Sequence, residues 1–308
     1  MKIAVMGAGG VGAYFGARLT EANEEVTFIA RGIHLDAMRR YGLRIKSVNG
    51  NVKLISPHVT DDPAEIGPVD IILFTVKLWD TEVASDIMQP LLAPETALIS
   101  LQNGIFAEDI LADRLGAEHV MGGVAQILSV ISEPGVISHT GSMSRVIFGE
   151  RDGSVSIRGE QLQAAFARAG VDAKLSNNID KDIWQKFSML APLSGLTTLT
   201  RLTCGPIMAE ASTHDLLHRA VQEVVALGHA KGIALDDSLV AQNMAFYAGL
   251  PEDFGSSMLH DIQAGRRLEL PFLSGAVARL GMELDVPTPV HAFIAAALMP
   301  HAQGSSGS

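Results

Sequence analysis

Apolar residues follow two rhythms along this chain: short uninterrupted runs in the first half and recurrences every three to four residues in the second. The run Lys2-Ile3-Ala4-Val5-Met6 ends at Gly7 and gives way to helical spacing through Ala13, Ala17 and Leu19, which predicts strand, turn and helix. Glu25 to Ala30 supplies a second strand at the distance a βαβ unit requires. Val69 to Val76 and Ala97 to Leu101 read as buried parallel strands. Val120 to Ile131, Gly135 to Thr140 and Ser144 to Gly149 read as three more strands, separated by Glu-Pro-Gly and Gly-Ser turns, that finish the sheet. Beyond residue 176 the turn density changes, and the segments 182–199, 214–231 and 257–280 carry helical spacing. The expectation is an α/β domain over 1–176, with a mostly parallel, doubly wound sheet plus extra strands, and an all-α domain over 177–303. Residues 304–308 have linker composition and read as an appended scar or a loose tail.

The turn after the first strand holds Gly7, Gly9 and Gly12, a G-x-G-x-x-G spacing that includes Gly10 and Val11. Gly7 permits the tight turn, Gly9 lets backbone approach a pyrophosphate, and Gly12 lets the helix pack on the strand. A diphosphate would sit on the unpaired N–H groups at the helix N-terminus. This is the Rossmann signature in its expected strand–turn–helix context. At the end of the second strand, where a ribose-binding Asp or Glu would favour NAD, the chain has Arg31. A guanidinium there matches a 2′-phosphate and favours NADP(H); a solvated surface arginine is the plain alternative. Lys77 and Asn103 follow the next two strands, at the sheet edge where ligand crevices form, and read either as cofactor or substrate contacts or as ordinary loop residues.

At 308 residues the chain is long enough for two cores, and 47% hydrophobic against 19% charged residues excludes a disordered chain. The formal net charge of −11 is the wrong sign for a nucleic-acid partner. One cysteine, Cys204, cannot form an intrachain disulfide and reads as packing. No apolar run is long enough to cross a membrane, and the opening run is too short for a signal-peptide core, so a cytoplasmic protein with no membrane partner is expected. Apolar helical domains of this composition often pair, which allows a homodimer, although the sequence does not itself give the oligomeric state.

In the helical half, Leu217, Val221, Val224 and Val225 form a core stripe. His214 and His218 stand at i, i+4 but lack the glutamate of a zinc-binding H-E-x-x-H, so no metal is expected. No G-x-S-x-G elbow is present. Lys186 lies among large apolar neighbours, with Leu190 and Ser194 at i+4 and i+8, and Pro192 invites a bend. Periodicity leaves a catalytic lysine and a snorkelling surface lysine equally open.

Taken with Gln102-Asn103-Gly104, Ile183-Trp184-Gln185-Lys186-Phe187, the run from Ser256 to Arg266, Glu269, Ser274-Gly275 and Val286-Pro287-Thr288-Pro289, the chain resembles the ketopantoate reductase (2-dehydropantoate 2-reductase) family over nearly its whole length. The resemblance implies a Rossmann domain plus an all-α C-terminal domain of the 6-phosphogluconate-dehydrogenase-like kind. It implies NADPH-dependent reduction of a 2-oxo acid between them, 2-dehydropantoate to pantoate in pantothenate biosynthesis being the first candidate. Lys186 matches the family's proton donor, Glu269 a carboxylate beside cofactor and substrate, Ser257 a substrate contact, and Asn103 a residue near nicotinamide and substrate. Leu190 and Ser194 stand where the family usually carries asparagines that meet substrate, Phe254 where another is common, and Pro271 where an acid is common. These departures imply a drier pocket and a more apolar 2-oxo or 2-hydroxy acid; a non-catalytic NADP(H) sensor is the remaining alternative, against which the retention of Lys186 and Glu269 argues.

Overall fold

A computed structural model describes residues 1–305. It divides into two compact units, Met1–Asp182 and one that begins at Ile183. The first opens with β1 (Lys2–Met6), α1 (Gly10–Glu21), β2 (Glu25–Ile29), α2 (Gly32–Tyr41), β3 (Leu43–Ser47), β4 (Val52–Leu54) and β5 (His58–Thr60). It continues with β6 (Ile71–Phe74), α3 (Thr81–Ile87), β7 (Ala97–Ser100), α4 (Ala107–Leu115), β8 (Val120–Glu133), β9 (Val136–Glu150), α5 (Ile157–Arg168) and β10 (Asp172–Leu175).

These strands form one sheet in the order β4-β3-β9-β8-β7-β6-β1-β2-β5, with β10 paired to β9. Only β3–β4 and β8–β9 pair antiparallel among the described strands. Alternation sorts β1 between two cores: Ile3 and Val5 join Phe15, Phe28 and Phe148 on one side, while Ala4 and Met6 join Ile72, Phe74 and Leu111 on the other. Burial on both faces is why the central strands read as unbroken apolar runs rather than alternating ones.

Two expected strands, Gly135 to Thr140 and Ser144 to Gly149, are one strand, β9, which runs on through Gly141 in a left-handed conformation (φ 72°). The Gly-Ser signal was therefore an irregularity within a strand, not a turn, and β8 and β9 form a long hairpin around Pro134-Gly135.

The second unit contains most of α6 (Ile179–Thr200), then α7 (Cys204–Ala209), α8 (Ala211–Ala230), α9 (Leu239–Ala248), α10 (Ser257–Gln263), α11 (Ser274–Glu283) and α12 (Pro289–Leu298). The expected helix over 257–280 is in fact α10 and α11, broken where Gly265 takes φ 66° and Pro271 sits in a 3-10 turn. Gly304 and Ser305, expected in a loose tail, are tied back by the Ser305 N–H donating to the Gly265 carbonyl at 3.0 Å; 306–308 lie outside the described residues. Cys204 is buried. Among the described residues no helix is long and apolar enough to cross a membrane.

Candidate active site

The carboxyl ends of β1, β2, β6 and β7 carry the first set of candidate residues, and backbone geometry gathers them. Gly7 has φ 100°, which an L side chain rarely adopts, and its N–H and that of Ala8 donate to the Ile29 carbonyl at 3.2 and 3.0 Å. The glycine turn is thereby pinned to the end of β2, two residues before Arg31. A Cβ on Gly12 would lie 2.3 Å from Thr75 Oγ1, so the helix needs glycine there to close on β6. The Thr75 hydroxyl also donates to the Gly7 carbonyl at 2.6 Å.

The first α1 hydrogen bond runs from the Ala13 N–H to the Gly9 carbonyl, so Gly10, Val11 and Gly12 keep N–H groups without intrahelical acceptors. No acidic side chain occupies that first turn, and a Cβ on Gly9 would meet nothing within 4 Å. Those are the requirements of a phosphate cradle. Gly10 is different: its Cβ would lie 2.2 Å from the Ser129 carbonyl, so the missing side chain there serves packing on β8.

Arg31 is exposed and caps α2, whose first turn has no acid. Lys77 is exposed, with its Nζ 5.6 Å from the centroid of the Trp79 ring, and Asn103 is half-buried. Two residues that the sequence pattern does not single out as functional hold this edge together. The Gln102 side-chain amide donates to the Val76 carbonyl at 2.9 Å and to Thr81 Oγ1 at 3.0 Å, which locks the Lys77 turn to the Asn103 turn. His34 Nδ1 accepts the Gly135 N–H at 3.1 Å, and burial pushes the ring's pKa down, so the neutral ring pins the β8–β9 hairpin to α2.

The second set belongs to the helical unit. Lys186 is half-buried on α6 between the buried Trp184 and Phe187, whose rings meet edge to face at 6.0 Å. Leu190, half-buried, follows one turn on, while Ser194 is almost wholly buried. Thr197, at i+11 from Lys186, returns to the lysine's face more closely than Ser194 does. Its Oγ1 lies 2.7 Å from Ser256 Oγ, which joins that face to the start of α10, where Ser257 is exposed. Glu269 is 6% exposed at the head of the 3-10 turn that contains Pro271, and its carbonyl accepts the Phe272 N–H at 2.9 Å. Phe254, half-buried, gives its carbonyl to the Cys204 N–H at 2.9 Å.

Residues 3–153 match the family model of ketopantoate reductase PanE/ApbA, and residues 178–302 match that of its C-terminal part. The chain belongs to the ketopantoate reductase family. Members of this family are oxidoreductases and use NADPH. The chain is 30% identical to the uncharacterized oxidoreductase YkpB of Bacillus subtilis (strain 168), over 94% of its own length and 95% of that protein's. It is similar to the crystal structure of 2-dehydropantoate 2-reductase from Geobacter metallireducens GS-15 (31% identity, TM-score 0.91, covering 97% and 99% of the two chains). It is also similar to D-mandelate dehydrogenase in its ternary structure with NADH and anilino(oxo)acetate (25% identity, TM-score 0.88, covering 98% of each chain).

Proposed function

We propose that this ketopantoate reductase-family protein reduces a 2-oxo acid to the 2-hydroxy acid with NADPH. The observation that carries this is the co-occurrence, in one chain, of an open phosphate cradle beside Arg31 and a half-buried lysine whose helix face is tied to the loop of Ser257. Gly7, Gly9, Gly10, Val11 and Gly12 would hold the diphosphate by backbone, Arg31 the 2′-phosphate, and Lys77, Asn103 and Glu269 the ribose and nicotinamide end. When bound, the reduced cofactor supplies the hydride. Lys186 stabilises the negative charge that builds on the carbonyl oxygen and donates the proton that completes the alcohol. Asn103, Leu190, Ser194 and Ser257 contact the 2-oxo acid. We place the protein in the cytoplasm, as a homodimer.

The names of the relatives make 2-dehydropantoate the first substrate, which would put the protein in pantothenate biosynthesis. A second reading, a 2-oxo acid with an apolar tail, is favoured by Leu190, which presents carbon one turn from Lys186, and by the anilino(oxo)acetate held by D-mandelate dehydrogenase. Measuring kcat/KM by NADPH consumption for 2-dehydropantoate beside branched and aromatic 2-oxo acids separates the two. Lys186→Met is expected to lower kcat by roughly 10²- to 10⁴-fold with NADPH binding, read by fluorescence, intact. No NADPH consumption with any 2-oxo acid would overturn the reading.

A further inference from the structure

Thr197 is wholly buried on α6, and its hydroxyl contacts groups on two elements. Thr197 Oγ1 lies 2.7 Å from the Leu193 carbonyl and 2.7 Å from Ser256 Oγ, while Ser256 Oγ accepts the Leu259 N–H at 3.0 Å. One assignment spends both hydroxyl protons. Thr197 donates back to its own helix, Ser256 donates to Thr197, and Ser256 in turn caps α10. The chain of donors is continuous from α10 to α6, and both hydroxyl residues are buried, so no water competes for either bond.

The next residue, Ser257, is exposed. The same loop is held on its other side by the Cys204 N–H on the Phe254 carbonyl at 2.9 Å and the Gly205 N–H on the Glu252 carbonyl at 3.0 Å. Those bonds run to α7, whereas the Thr197 hydroxyl ties the loop to the helix that carries Lys186. We propose that Thr197 is a positioning residue for substrate recognition: through Ser256 it holds Ser257 in register with the Lys186 face of α6. This rests on the reading above of Ser257 as a substrate contact.

The test compares Thr197→Val, which keeps shape and removes the hydroxyl, with Thr197→Ser, which keeps the hydroxyl. Thr197→Val is expected to raise KM for the 2-oxo acid about tenfold, with kcat within about twofold and the NADPH dissociation constant unchanged. It should also weaken the calorimetric affinity for anilino(oxo)acetate about tenfold, a readout that needs no turnover. Thr197→Ser stays near wild type. Should Thr197→Val not fold, Ser256→Ala breaks the same link from the other side and gives the same KM effect. In the double variant the two effects do not add. Wild-type KM and affinity in Thr197→Val, equal loss in Thr197→Ser, or additive losses would overturn the proposal. Ser257→Ala, run in parallel, separates the two levels. If it leaves KM and affinity unchanged, the substrate-contact reading falls and takes the proposal with it. If it raises KM and weakens the affinity while Thr197→Val does neither, only the positioning role is overturned.

Discussion

A guanidinium and a carboxylate at the carboxyl end of β2 select opposite dinucleotides, because one attracts a 2′-phosphate and the other repels it. Arg31→Ala is therefore expected to weaken NADPH binding roughly ten- to hundredfold while NADH binding changes little; equal losses for both cofactors would show that Arg31 does not read the phosphate. Gln102 acts differently, since its amide donates to Val76 and Thr81, beside the Lys77 turn. Gln102→Leu leaves those acceptors without their donor, at about 1–3 kcal/mol of stability in urea, and lets the Lys77 and Asn103 turns move apart. NADPH affinity should fall about tenfold with it, and a variant destabilised but with unchanged affinity would reduce Gln102 to a structural tie. The positions of Gly7, Arg31, Lys77 and Asn103 are legible in the sequence because each lies within three residues of the carboxyl end of a strand. The tasks of Gln102 and Thr197 are not, because each depends on partners brought from distant parts of the chain, Val76 and Ser256.

Helix α6 shows how an element survives a residue that should weaken it. Pro192 donates no hydrogen bond, which deprives the Ser188 carbonyl of its i+4 partner, yet the helix runs unbroken from Ile179 to Thr200. One turn of α9 braces the same stretch from outside: Asn243 Nδ2 donates to Ser188 Oγ at 2.9 Å, and the Tyr247 hydroxyl donates to the Met189 carbonyl at 2.6 Å. Tyr247 is completely buried, and burial holds its phenol well above the ordinary tyrosine range. Tyr247→Phe should cost about 1–3 kcal/mol in urea unfolding, and an unchanged midpoint would show that the proline turn needs no brace. The strands β1, β2, β6 and β7 were readable because central parallel strands are apolar on both faces. Strands β3, β4 and β10 are hidden in the sequence because charged residues such as Arg44, Lys53 and Lys174 occupy their exposed positions, and β5 because it spans only His58–Thr60. α10 and α11 were fused because their spacing continues across a break that Gly265 and Pro271 impose.

Two buried groups, one in each unit, should answer acid with opposite signs. In the first, Glu108 sits buried at the start of α4, and burial lifts its pKa from 4.5 to about 7; Arg151 opposes that rise, while Asp180 and Asp109 add to it. Between those values the folded state keeps a proton that the unfolded chain has released, so this contribution to stability is lost as pH rises from about 4.5 to about 7. In the second, His291 is buried with Nε2 on the Ala220 carbonyl at 3.2 Å, and burial lowers its pKa from 6.5 to about 4. Here the unfolded chain takes up the proton first, and stability is lost as pH falls through that window. Each group contributes on the order of 3 kcal/mol over its range. Opposing groups share each unit, since burial lowers His34 in the first and raises Glu223 in the second, so the comparison must be with variants rather than with the bare pH profile. Trp79 lies in the first unit and Trp184 in the second, which gives each its own fluorescent reporter once the other is changed to Phe. Glu108→Gln should unfold at higher urea than its parent at pH 8 and match it near pH 4.5, a difference carried by Trp79 alone. His291→Gln should compare best with its parent at pH 4.5 and worst at pH 8, a difference carried by Trp184. If either variant shifts its parent's midpoint equally at both pH values, the buried group does not titrate with folding, and the opposed response of the two groups is lost.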